Sequence, residues 1–161
     1  MVDGPLVAVR DHRVETRLWL PCSRAEVFPF FADAYNLEEI TPPWLRFSVL
    51  TPRPIEMRAG TLIDYRLRLH GVPLRWRTEI AVWEPPVRFV DRQVSGPYES
   101  WEHEHRFRDA GGGAVMSDRV DYRIRGGRLA DWIGDHAVAR RDLRRIFEYR
   151  RDALQARFGV G

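Results

Sequence analysis

LADWIGDHAVARRDLRRIFEYRRDALQARF, residues 129–158, is the stretch whose reading decides the fold. Within it Leu129, Trp132, His136, Leu143, Phe147, Arg150, Leu154 and Phe158 fall mostly three or four positions apart. That spacing aligns side chains on one face of an α-helix. Gly126 and Gly127 punctuate its start. At about 1.5 Å per residue such a helix can lie across a whole small sheet.

Most of the chain before it reads as strands. His12 to Leu20 alternates, with Val14, Thr16, Leu18 and Leu20 on one side, and Pro21 ends it. Ser23 stands three positions before Glu26, the spacing of a capping box, so a short helix through Val27, Phe28, Phe30 and Phe31 is expected, with Pro29 bending or shortening it. Asp33 offers a cap for a second short helix running through Leu37 to Ile40. Trp44 and Leu45 are expected to plug one end of the core, and Phe47 to Leu50 to form a short strand.

From Thr61 onward the alternation is strong. Ile63, Tyr65, Leu67 and Leu69 share one face of a strand, and after His70-Gly71-Val72-Pro73 the next strand turns Leu74, Trp76, Thr78, Ile80 and Val82 the same way. Further strands are expected over Val87 to Gln93, Tyr98 to Arg108 and Ala114 to Ile124, the last two joined by a glycine-rich turn. About seven antiparallel strands with one apolar face need a cover, and the terminal helix is the only element long enough to supply it. If the sheet curls strongly, it grips the helix and leaves a cavity between them.

Composition bounds the rest. The 161 residues suit one domain, 1–161 with a core over 9–159, and no repeat or linker divides them. The opening MVDGPLVAVRDHRV lacks the charged flank and apolar run of a signal peptide, and no apolar run approaches the roughly 20 residues that span a bilayer, so a cytoplasmic location is expected. The single cysteine, Cys22, excludes an internal disulfide and a thiolate zinc cluster. All 26 basic residues are arginine, and their charges alternate with acidic ones instead of forming a block, which argues against a nucleic-acid partner. The same sequence offers no phosphate loop and no nucleophile elbow.

The runs WLPCSRAEVFPFFADAYNLEEITPPWLRF (19–47), WEPPVRFVD (83–91), GPYESWEHEHRF (96–107) and RRIFEYRRDAL (144–154) resemble the START-like, polyketide-cyclase-like (SRPBCC) superfamily, especially its small bacterial ligand-binding members. The resemblance covers nearly the whole chain. It implies an α+β helix-grip fold: a strongly curved antiparallel sheet around a long C-terminal helix, with two short helices after the first strand. It leaves the substrate open, since the superfamily includes lipid and hormone carriers, coenzyme-Q-binding proteins, aromatase/cyclases and ring-oxygenase subunits. No ring-oxygenase iron-ligand pattern is evident.

The most suggestive local pattern is Trp101-Glu102-His103-Glu104-His105-Arg106-Phe107. Alternation puts Trp101, His103, His105 and Phe107 on one face, so if Phe107 points inward both histidines do too. Three readings of the pair stay open: structural groups bonded to Asp118, Tyr122 or the terminal helix; pocket-lining groups that orient a polar head; or catalytic or metal-binding groups. His-x-His with Asp118 across the next hairpin can in principle hold a metal, but the pattern is common and no metal or other cofactor is expected. Asp91 and Gln93 share the inner side with Phe89 and are read preferentially as groups that close a turn or strand end.

The expected ligand-binding set is Tyr65, Trp76, Thr78, Trp101, His103, His105, Asp118, Tyr122, Arg140 and Phe147. Arg140 stands seven positions before Phe147 and therefore projects similarly from the helix. The leading expectation is a non-enzymatic carrier of a small hydrophobic molecule with a polar group, a lipid, isoprenoid or polycyclic aromatic. Its main competitor is a cyclase- or dehydratase-like enzyme using His103 or His105 with Asp118 as acid and base. A third reading is a structural or partner-regulating module. No integral membrane association is expected, and the sequence names no protein partner.

Overall fold

The computed structural model describes residues 12–125 and 136–159. Seven antiparallel strands, β1 (His12–Leu20), β2 (Ser48–Val49), β3 (Leu62–Leu69), β4 (Val72–Glu84), β5 (Arg88–Ser95), β6 (Ser100–Ala110) and β7 (Gly113–Arg123), form one strongly curved sheet in the order β1-β7-β6-β5-β4-β3-β2. Between β1 and β2 come α1 (Arg24–Phe31) and two 3₁₀ turns, Ala34–Glu38 and Pro43–Leu45. The C-terminal helix α2 is described over His136–Phe158, and its expected first turns from Leu129, with the Gly126-Gly127 start, lie outside the described residues.

Local chemistry explains the punctuation. The Ser23 hydroxyl accepts from the Glu26 N–H while the Glu26 carboxylate accepts from the Ser23 N–H at 2.7 Å, so the capping box closes as its spacing predicts. Asp33 caps the next turn by accepting from the Tyr35 N–H at 2.9 Å, but that turn is 3₁₀ and ends at Glu38. At the β6–β7 hairpin, Gly111 (φ +59°) and Gly112 (φ +77°) supply the left-handed pair that a two-residue turn requires. Gly113 is needed for a different reason: a Cβ there would lie 2.1 Å from the Leu20 carbonyl oxygen.

Two buried clusters meet under α2. Phe28, Phe31, Phe89, Phe107 and Met116 pack with Leu154 at one end, and Tyr98, Val120 and Tyr122 pack with Ala139, Leu143 and Phe147 at the other. The apolar stripe of α2 thus covers the concave face, as amphipathic burial demands.

Three local expectations are corrected. The register of β4 against β5 shifts between Ile80 and Val82, and this irregularity carries Trp83, not Val82, into the core against Phe28 and Phe89. An extra residue in a strand reverses the alternation beyond it, which a period-two pattern cannot anticipate. Trp44 does not plug the core; it is 48% exposed, edge-on to Tyr149, while Leu45 is buried. The expected strand Phe47 to Leu50 contracts to Ser48–Val49.

Candidate active site

The register of the sheet assembles the site. On the concave face Phe89, His105, Asp118 and Thr16 occupy successive positions on β5, β6, β7 and β1, and Asp91 lies opposite His103 one step along. Period-two geometry on β6 therefore turns Trp101, His103, His105 and Phe107 inward, and the flanking strands bring one aspartate to each side of the histidines.

Each imidazole faces both carboxylates. His103 Nε2 lies 2.9 Å from Asp118 Oδ1 and His105 Nε2 lies 2.8 Å from Asp91 Oδ2, both as hydrogen bonds. His105 Nδ1 is also 2.9 Å from Asp118 Oδ1 but off the direction of a ring N–H, so this buried nitrogen is left without a hydrogen bond. His103 Nδ1 is 3.7 Å from Asp91 Oδ2. The two rings lie 3.7 Å apart between centroids, and Phe89 stacks on His105 at 4.1 Å. From α2, an Arg150 guanidinium nitrogen approaches Asp118 Oδ1 to 3.7 Å.

These contacts sort the protons. Burial works against ionising Asp118, yet the His103 hydrogen bond, the close His105 ring and the Arg150 charge outweigh it and hold the carboxyl well below its usual range. Asp91 is likewise held low: burial opposes this, and the His105 hydrogen bond with the neighbouring positive charges prevails. For His103, burial and the proximity of His105 depress the basicity despite the Asp118 bond. His105 is buried too, but its contacts with Asp118 and Asp91 raise it. These directions make His105 the more basic ring and His103 the less basic one. Because ionised Asp118 only accepts, a neutral His103 donates to it through Nε2 and carries its lone pair on Nδ1.

Beside this ring of side chains lies a cavity of about 200 Å³ between the sheet and α2. Its wall includes Tyr65, Trp76, Thr78, Trp101, His103, His105 and Phe147 of the expected set, together with Asp91 and Arg150. Burial, with the nearby Asp91 charge, raises the Tyr65 phenol, which stays protonated; it has no hydrogen-bond partner among the described residues. Asp118 stands behind the histidines, Tyr122 is packed in the core with Tyr98 and Val120, and Arg140 opens onto a separate cleft beside β1. Thr78 is buried, its hydroxyl donating to the Arg92 carbonyl at 2.9 Å.

Asp91 and Arg150 line the cavity but stand outside the expected ligand-binding set: Asp91 is read from sequence as closing a turn or strand end, and Arg150 only as part of the helix stripe. Their signals were present: Asp91 alternates with Phe89, and Arg150 belongs to the apolar stripe of the helix. As donors, Asp91, His103 and His105 bring ligand atoms within 4.8 Å of one another. Within this trio His105 Nε2 stands 2.8 Å from Asp91 Oδ2, the spacing of a shared proton, and His103 Nδ1 stands 3.7 Å from the same oxygen. Two ligands at about 2.0–2.2 Å from a tetrahedral zinc stand farther apart than the shorter of these, so an ion would have to part His105 from Asp91.

A curved sheet gripping a helix around a mostly apolar cavity is a helix-grip pocket fold. The chain belongs to the family described as polyketide cyclase / dehydrase and lipid transport, whose sequence profile matches residues 20–146. Solved structures share the fold: the Zhui aromatase/cyclase from Streptomyces sp. R1128 (TM-score 0.72, 15% identity, 92% of this chain and 93% of that one); protein CV1439 from Chromobacterium violaceum (0.70, 14%, 92% and 99%); and the major latex-like protein 151 from Panax ginseng (0.67, 11%, 92% and 97%). At these identities the likeness concerns the fold. No curated protein matches the sequence.

The leaning towards a non-enzymatic carrier is corrected here. Two histidines on the cavity wall, each hydrogen-bonded to a different aspartate, form a polar cluster that is costly to bury in an otherwise apolar core. The family they belong to is described by its cyclases and dehydrases as well as by lipid transport. Among the described residues no helix is long and apolar enough to cross a membrane.

Proposed function

We propose that the chain is a cyclase- or dehydratase-type enzyme acting on a compact, mostly apolar carbonyl compound, with His103 as general base. The observation that carries this reading is the pair of adjacent histidines on the cavity wall that share one oxygen of Asp118, with Asp91 bonded to His105 alone; the environment makes His103 the less basic of the two. Similarity in fold to an aromatase/cyclase supports it.

The chemistry follows from the placement. A ketone in the cavity receives a hydrogen bond from the Tyr65 phenol on its oxygen, which stabilises the developing enolate. His103 Nδ1 takes a proton from the adjacent carbon; the C–H electron pair becomes the enolate, and the new imidazolium is held by Asp118. The enolate carbon then attacks a second carbonyl of the same molecule, forming the ring C–C bond and an alkoxide that takes the proton back from the His103 imidazolium, which frees Nδ1 again. On dehydration His103 removes the remaining α-proton and the hydroxyl departs as water, protonated from His105. Asp118 keeps both rings oriented through these transfers, and the apolar wall excludes bulk water.

Cavity size narrows the substrate. About 200 Å³ is below the roughly 300 Å³ at which drug-sized pockets begin, so the reacting portion is one or two fused rings. The test is α-proton exchange of 1-tetralone in D₂O, followed by NMR. Wild-type protein accelerates exchange, and His103→Gln loses about 100-fold or more of that acceleration, the usual worth of a general base. Exchange at the buffer rate with wild type overturns the reading.

A further inference from the structure

A second cavity, of about 440 Å³, runs between β1 and α2 on the far side of Asp118 from the first. The two have Phe147 and Arg150 in common. Six arginines against three acids line it. Two of those arginines are committed, Arg13 to Asp121 at 2.6 Å and Arg151 to Asp152 at 3.2 Å. Arg17, Arg140 and Arg144 have no carboxylate within 4.0 Å among the described residues.

Arg150 is the unusual member. Its side chain is only 12% exposed, and it makes no hydrogen bond among the described residues, only the 3.7 Å approach to Asp118 and a cation–π contact with Phe147 at 5.7 Å. A guanidinium carries five N–H donors. Arg150 stands between an apolar cavity and a cationic cleft and lines both, so its unbonded donors are available to a group entering either one.

The geometry points to Arg150 as the receptor for an anionic group, a carboxylate or a phosphate, on a substrate whose apolar body fills the first cavity, with Arg140 and Arg144 lining the path to it from the β1 side. The inference rests on the proposed enzyme reading and adds the class of its substrate: an acid with a one- or two-ring carbonyl body. A planar fork of donors suits either anion in a two-point contact. Spatially, the anion at Arg150 would fix the apolar body alongside His103, on the same cavity wall.

The test is calorimetric titration with three molecules sharing one bicyclic body: 2-naphthoate, 2-naphthyl phosphate and methyl 2-naphthoate. One of the acids is expected to bind at least about tenfold more tightly than the ester, the worth of a charge-assisted pair, and the tighter acid tells carboxylate from phosphate. Arg150→Gln abolishes that preference and leaves ester binding unchanged, while the Arg140→Gln/Arg144→Gln double variant weakens acid binding and increases its loss with salt less than wild type does. Near-UV circular dichroism checks that each variant is folded. Equal affinity for acids and ester, failure of both acids to bind at millimolar concentration, or an acid preference that survives Arg150→Gln in folded protein overturns the inference. Binding is read without turnover, so tetralone exchange that persists without an acid preference sinks this inference alone, and the reverse result sinks the enzyme reading alone.

Discussion

His103 and His105 approach one oxygen of Asp118 from two sides, each at 2.9 Å, with their rings 3.7 Å apart. Two imidazoles that close cannot both be charged without mutual repulsion, so the pair divides its protons unequally. The carboxylates decide the division. His105 lies in contact with both Asp91 and Asp118, whereas His103 has a close contact with Asp118 alone.

Activity should follow a bell-shaped pH profile whose limbs belong to the pair. The acid limb reports protonation of His103 and falls below the ordinary histidine value near 6.5, while the alkaline limb reports proton loss from His105 and falls above it. Rates of tetralone exchange measured on both sides of the ordinary histidine value, at pH values where circular dichroism shows the fold intact, report both limbs. A single limb centred on an unperturbed histidine would contradict the division.

Stability should depend on Asp118 with the opposite sign to His105. Asp118 has a folded-state pKa below its unfolded value near 3.9, so its contribution is present above that value and is lost as pH falls through the folded one. His105, raised when folded, contributes most below about 6.5 and loses that contribution as pH rises through its folded value. Asp118→Asn removes the first dependence and weakens the second, which melting temperatures measured against pH will show.

Asp118→Asn should also lower kcat by about 100-fold or more, because an amide can present its N–H to His103 and lets the ring turn to the wrong tautomer. Asp91→Asn, which contacts His105 more closely than the proposed base, should cost less. Equal losses for the two variants would remove the distinction between the histidines.

Away from the site, Phe107→Ala should destabilise the fold by about 3–5 kcal/mol, since this ring is 2% exposed and edge-on to Phe28 at 5.2 Å. Gly113→Ala should cost about 2 kcal/mol or more, because the Leu20 carbonyl occupies the space its Cβ needs. Gly111→Asn, at φ +59° in the same hairpin, should be nearly neutral. Denaturant unfolding separates the three.

How far the sequence reached is clearest at particular residues. The inward pairing of His103 with His105 was legible because strand alternation survives tertiary context on β6, and Asp118 was placed opposite by a hairpin whose turn glycines fix the register. Asp91 was placed on the inner side but assigned to a turn or strand end, because Pro85-Pro86 interrupts the strand before it and a proline break hides the register. The helix shows a different limit. At about 100° per residue, Arg140 and Arg150 fall on opposite sides of Phe147, and only the packed structure says which side faces the cavity and which the β1 cleft. The strands were recoverable from periodicity and turns; the placing of β1 beside β7 was not, nor was the irregularity that brings Trp83 inward, because both come from pairing between strands.

The central claim is that one proton sits on His105 while His103 keeps a bare Nδ1 at neutral pH, and nitrogen NMR of ¹⁵N-histidine-labelled protein tests it most directly. The account predicts one doubly protonated ring that His105→Gln removes from the spectrum and one neutral ring, lost in His103→Gln, protonated at Nε2. Two neutral rings, two charged rings, or a neutral His103 protonated at Nδ1 would contradict it.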